Sequence, residues 1–181
     1  MLQFVTGSRR KGLIALMMSL LLMVTILAGC SSSKPAVVST NLSSLETPKD
    51  IKDMPKYLES LLPEEAKGNI TIGSLSDGRR GVIAMFPLMK DPQMKAKAQQ
   101  YARDFILATY RTDFPIGVAA ITMSEPDGKT GLTVIVGAEG AKDLKQNPNM
   151  DTTSFLEWAK KSKADSDDPS KSVQITGDLL N

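Results

Sequence analysis

The run DPQMKAKAQQYARDFILATY, Asp91 to Tyr110, decides how the rest of the chain is read. Asp91 is a good acceptor at a helix start. Pro92 carries the fixed φ of a first helical turn and has no N–H to leave unpaired. Beyond them Met94, Ala98, Tyr101, Ala102, Phe105, Ile106 and Thr109 recur at spacings of three and four. That spacing puts them on one stripe of a helix. Lys95, Lys97, Gln99, Gln100, Arg103 and Asp104 fall mostly elsewhere. The pattern predicts a helix running to about Tyr110, close to five turns. Its apolar stripe has to be covered, and the flanking residues offer a sheet.

On the N-terminal side, Ile70 to Leu75 alternates in part, Ser76-Asp77-Gly78 is a hairpin signal, and Val82 to Phe86 is a dense apolar run suited to an interior strand. On the C-terminal side, Ile116 to Met123 is apolar and β-branched. Glu125-Pro126-Asp127-Gly128 is a turn with Pro second and Gly last, and Leu132 to Val136 is the returning strand, broken by Gly137 and Gly140. A shorter helix begins at Asp53-Met54-Pro55, with Asp53 as its cap. It carries Tyr57, Leu58, Leu61 and Leu62 on one stripe and stops at Pro63. Asp151 or Thr152 caps a last helix bearing Phe155, Leu156, Trp158 and Ala159, and Val173 to Ile175 reads as a short edge strand. The expected fold is α+β: a four-stranded antiparallel sheet, made of two hairpins joined by the long helix, with helices packed on one face. The first and third strands are expected as central neighbours. No repeat of solenoid period is present.

The start of the chain is of another kind. Arg9, Arg10 and Lys11 stand without an acid near them, and Gly12 to Gly29 carries no charge. A basic start, an apolar middle and a small-residue end make a secretory signal. An uncleaved membrane helix is the rival reading. At a rise of about 1.5 Å per residue the uncharged stretch reaches roughly 27 Å, slightly short of a ~30 Å hydrocarbon core. The only cysteine decides between them. Leu27-Ala28-Gly29-Cys30 resembles the lipobox of bacterial lipoproteins: a Leu, two small residues and the modified Cys. The resemblance covers the first thirty residues alone. It implies a diacylglyceryl group on the Cys30 thiol, cleavage between Gly29 and Cys30, and attachment at the extracytoplasmic face of a cell membrane. Each buried CH₂ contributes about 0.8 kcal/mol, so two chains hold where one is marginal.

Residues 1–29 are thus expected to leave as a signal peptide. Losing Arg9, Arg10 and Lys11 takes the 22 basic residues to 19, against 20 acidic ones. A nearly neutral mature chain has no electrostatic footprint for nucleic acid. Residues 30–49 read as a lipidated flexible tether, rich in Ser, Thr and Pro. Their ends would average roughly 25 Å apart as a coil. Residues 50–181 read as one globular domain with a loose polar segment near 163–171.

The chemistry of the chain is defined by what it lacks. There is no His, and Cys30 is taken by lipid, so neither an imidazole base nor the usual N/S metal site is available. No catalytic, cofactor-binding or metal-binding residue is assigned. Glu64-Glu65 point different ways on a helix. Asp165 to Asp168 lacks the spacing of a calcium loop. Arg79-Arg80 keeps a strand end soluble, or meets an anion or a membrane surface. Gly137 to Lys142 resembles an anion-cradling loop but is explained by a strand ending in glycine. Met85, Met89 and Met94 are core fillers before they are copper ligands. Phe155 and Trp158 pack on the sheet or form an exposed patch. The expected role is a non-catalytic binding or interaction module of the cell envelope, with an envelope protein, a peptide or a small ligand as its partner. The alternative is a small envelope hydrolase using Ser/Lys or carboxylate groups. An exposed apolar patch or an open sheet edge would mark the binder. A cleft of convergent polar groups with shifted pKa values would mark the enzyme.

Overall fold

In the computed structural model, residues 41–164 and 166–180 are described. In chain order the elements are α1 (Met54–Glu59), β1 (Ile70–Ser74), β2 (Arg80–Pro87), α2 (Met94–Arg111), β3 (Ile116–Ser124), β4 (Thr130–Gly137), α3 (Ala141–Gln146), α4 (Thr152–Lys161) and β5 (Val173–Thr176). The lipobox and Cys30 lie outside the described residues.

The long helix forms where its stripe predicts, with one change at its start. Asp91 does not cap it directly. Its carboxylate accepts from the Gln93 N–H at 2.6 Å and from Lys97 Nζ at 2.7 Å, making a turn that feeds a helix beginning at Met94. Ala98, Ala102, Phe105, Ile106 and Thr109 are fully buried, as the stripe requires. Asp53 likewise flanks α1 without a side-chain cap, because Asp50 caps a 3₁₀ turn just before it. Asp151 does cap α4, accepting from the Ser154 N–H at 2.9 Å.

The sheet is α+β and mostly antiparallel, but it has five strands in the order β1-β2-β3-β4-β5 rather than four. β2 and β3 are parallel, with Val82 opposite Ala119 and Ala84 opposite Ile121. The expectation of a wholly antiparallel sheet with the first and third strands adjacent is therefore corrected. The reason is geometric. A helix that runs back along the sheet returns the chain to the end where β2 began, so the next strand runs the same way as β2 and pairs beside it. The fifth strand, β5, is the short edge strand read at Val173 to Ile175, and it pairs antiparallel with β4.

Both hairpins use one turn. Leu75 to Arg79 and Glu125 to Lys129 each close with the first N–H donating to the last C=O at 2.8 Å. Gly78 and Gly128 take φ of +82° and +87°, where a side chain is strained. Asp77 and Asp127 each accept from the basic residue two places on. Ser74, Asp77, Gly78 and Gly81 match Ser124, Asp127, Gly128 and Gly131 in sequence, a likeness the long intervening helix conceals.

Burial alternates along every interior strand. Val82, Ala84, Phe86, Ala119, Ile121, Met123, Leu132, Val134 and Ile175 point to the helices and form the core with α2. Two segments expected to be loose are packed. Leu42 is fully buried in a 3₁₀ turn capped by Asn41, and Arg111 donates to the Leu45 carbonyl at 3.1 Å, so the part of the expected tether that is described, from residue 41 on, packs on the domain. Within 163–171, Ala164 bridges Val173, Ser170 is buried, and the Ser170 carbonyl accepts from the Glu139 N–H at 2.9 Å. Small polar residues suggested disorder there; backbone pairing, which composition does not report, fixes the segment.

Candidate interaction surface

The face of the sheet turned away from the helices is uncovered among the described residues. The register places Thr71, Ile83, Ala120, Ile135 and Gln174 side by side across all five strands, with Met85, Thr122, Thr133 and Thr176 in the next row. None of these side chains carries a charge. Ile83 is 42% exposed and Met85 60%, and with Met89 at 66% they are the large exposed apolar residues of the described chain. The Thr122 and Thr133 hydroxyls lie 3.2 Å apart between them. A solvated sheet face normally alternates to polar side chains. This one carries threonines and a glutamine, but no charge among the residues named, and it leaves Ile83 and Met85 in solvent beside them.

A polar rim borders one end. Gly81 and Gly117 leave room on the open face for Leu75, whose Cδ1 lies 2.4 Å from where a Gly117 Cβ would sit. Arg79 follows, paired with Asp77 at 2.5 Å and under the field of Asp168. Asp77 holds its carboxyl below the usual range through its bond from Arg79, and the Arg79 guanidinium is raised in turn. At the adjacent corner the Ser170 backbone lies over Gly137, 2.3 Å from where a Cβ would stand. The open face thus has an uncharged floor and a charged border at this end.

The other sequence candidates are dispersed. Arg80 bonds the Ser74 hydroxyl. Glu64 pairs with Lys67, and Glu65 lines a separate cleft. Asp165 lies outside the described residues, while Asp168 accepts from the Ser170 N–H and hydroxyl at 3.0 and 2.8 Å. Among the described residues no His, Cys, Asp or Glu cluster could hold a metal. Gly137 and Gly140 owe their identity to close approach, the latter to Val173, and the N–H groups of Gly137, Ala138 and Glu139 donate to the Ser172, Gly117 and Ser170 carbonyls. Met85 lies on the open face, whereas Met89 and Met94 line a cleft elsewhere, so the three thioethers do not converge. Phe155 is buried beneath the tilted ring of Trp158, 5.8 Å away, and Trp158 Nε1 donates to Asp143 at 3.5 Å, which leaves no aromatic patch there.

The cleft at the start of α2, about 210 Å³, is lined by Pro63, Glu65, Leu88, Met89, Lys97 and Tyr101 among others. It contains the Asp91–Lys97 pair. The bond from Lys97 lowers the Asp91 carboxyl, and the same bond raises the Lys97 ammonium. Both shifts fix the groups in their charged forms. Acid–base chemistry near neutrality needs the opposite displacement. Composition gave no sign of one further cluster. Arg103 and Asp104 pair inside the protein, their side chains 4% and 1% exposed, and Arg103 Nε donates to the Met150 carbonyl at 2.7 Å. It is closed, and it ties α2 to the loop before α4.

Comparison of the chain with protein-family models, with curated proteins and with solved structures finds no match.

Proposed function

We propose that this chain is a lipid-anchored, non-catalytic binding module of the bacterial cell envelope, and that the open sheet face is where its partner sits. The observation that carries the binding role is that face: uncharged across five strands, with Ile83 and Met85 left in solvent. The anchor rests on Leu27-Ala28-Gly29-Cys30 at the end of an uncharged run. The packed turn at Leu42 brings the two ideas together, because it leaves only the short stretch after Cys30 as tether. Such a stretch averages roughly 17–20 Å end to end as a coil. The domain is then held within about one domain diameter of the membrane, where an envelope protein is in reach.

The binding role is tested with the purified mature chain, residues 30–181 carrying Cys30→Ser, sedimented with membranes from cells that lack the protein. Saturable retention is expected, and Ile83→Lys with Met85→Lys should abolish it while leaving the melting temperature within a few degrees. Retention unaffected by the two lysines would overturn the assignment of the face. The anchor is tested separately by the mass of the membrane-extracted product, which should begin at a diacylated Cys30.

A further inference from the structure

The two edges of the sheet are finished differently. β5 has its outer side taken up at Val173, which exchanges backbone bonds with Ala164 at 2.9 and 3.0 Å. β1 has no such cover. In its antiparallel pairing with β2, Leu75 donates to Arg79 and Asn69 accepts from Met85, so the residues that face β2 are Asn69, Thr71, Gly73 and Leu75. Ile70, Ile72 and Ser74 therefore turn their N–H and C=O groups outward. No described residue pairs with them. Natural edge strands are defended by a lysine, a proline, a bulge or inward-pointing charge. The strand Ile70-Thr71-Ile72-Gly73-Ser74 has none of these, and its register with β2 is unbroken. Thr71, Gly73 and Ser74 are exposed.

We propose that β1 is a dimerisation edge, pairing antiparallel with β1 of a second copy about a two-fold axis through Ile72. A two-fold interface puts the same patch against itself, and this strand tolerates that. Ile72 meets Ile72, Ile70 meets Ser74, and Thr71 meets Gly73, with no like charges brought face to face. The outward-facing residues oppose one another, so each such pair exchanges both of its backbone bonds. Arg80, the nearest cation, sits one strand inward at Ser74 and is carried to opposite ends of the pair. The two sheets become continuous, and so do their open faces. A second copy is preferred over a foreign peptide because the strand is its own complement in length, charge and bonding pattern. The proposal does not depend on what occupies the open face.

The test is sedimentation of the mature chain, residues 30–181 carrying Cys30→Ser, which is without the apolar leader, the lipid and the only thiol. A concentration-dependent dimer is expected. Ser74→Pro removes an outward N–H that serves nothing inside the domain, and it should give a monomer. Cysteine pairing supplies the register. Thr71 and Gly73 of opposite copies form a non-hydrogen-bonded pair with Cα atoms about 4.5 Å apart, within bridging range, whereas Thr71 is a diagonal neighbour of its own counterpart, beyond it. Mixing Thr71→Cys protein with Gly73→Cys protein under copper–phenanthroline should therefore yield a cross-linked dimer that neither gives alone. A parent chain that stays monomeric at all concentrations overturns the proposal. So does a mixture that cross-links no better than its parts, or a dimer that Met85→Lys dissolves and Ser74→Pro leaves intact, which would place the contact on the open face.

Discussion

Gly137 and Asp104 show two ways in which a single residue carries more than its type announces. An alanine at 137 would place its Cβ 2.3 Å from the Ser170 backbone, and neither strand nor loop can withdraw without losing the bonds at Ser170 and Ser172. Overpacking of this kind costs about 1–3 kcal/mol, so Gly137→Ala should lower the melting temperature by several degrees. Asp104 is the counter-ion of a buried arginine. Removing one member of such a pair leaves the other charge without compensation, at roughly 3–5 kcal/mol. Asp104→Ala should fall in that range by chemical denaturation, and Arg103→Met with Asp104→Leu should recover part of it. Neither role is legible in the sequence. A charged residue off the apolar stripe reads as solvated, and only the loop and helix that cover that side of α2 reverse the reading. By contrast Asp77-Gly78 and Asp127-Gly128 were legible, since their requirement is local and lies in the backbone of the turn itself.

At the level of elements, periodicity found what local chemistry controls and missed what the path of the chain controls. The stripe on α2 is buried as its spacing requires, but from Ala102 to Tyr110 every residue is buried, so the second half of the helix is covered on all sides. Phe105 is among its fully buried side chains, and Phe105→Ala should cost about 3–5 kcal/mol in a thermal or urea melt. An unchanged melt would mean that α2 does not cover the sheet with this face. The strands were found as apolar runs or, at β1, as a partial alternation, whereas the parallel neighbourhood of β2 and β3 depends on which edge receives the returning chain, a property of no single segment. The helix start shifted for a related reason. Asp91 could cap a helix at Pro92, but its bonds to Gln93 and Lys97 make a turn first. The open face was half visible: the dense apolar run Val82 to Phe86 puts apolar side chains on both sides of one strand, and only the register shows that the outer side continues without charge across the sheet.

For the whole molecule, the carboxylates set the response to acid. Asp77, Asp91, Asp127 and Asp168 are lowered first by side-chain bonds from Arg79, Lys97, Lys129 and Ser170, and Asp151 by the Ser154 N–H. Each binds its proton more weakly folded than unfolded, so each stabilises the fold above its unfolded value near 4 and stops doing so as the pH falls through its lower folded value. The melting temperature should be flat from about pH 7 to 5 and fall below about pH 4. In 1 M salt the fall should be shallower, because the partners are exposed and screened. Lys97 and Lys129, the partners of Asp91 and Asp127, are raised, as is Lys67 beside Glu64, and their contribution should fade only above about pH 10.5. None of this bears on the proposed role as directly as a contact made in the cell. A photo-reactive amino acid placed at Met85, and separately at Lys160 on the exposed side of α4, should give a partner adduct of discrete mass from Met85 and none from Lys160. Adducts from Lys160 alone, or the absence of any from Met85, would contradict the claim that the open sheet face is where this protein binds.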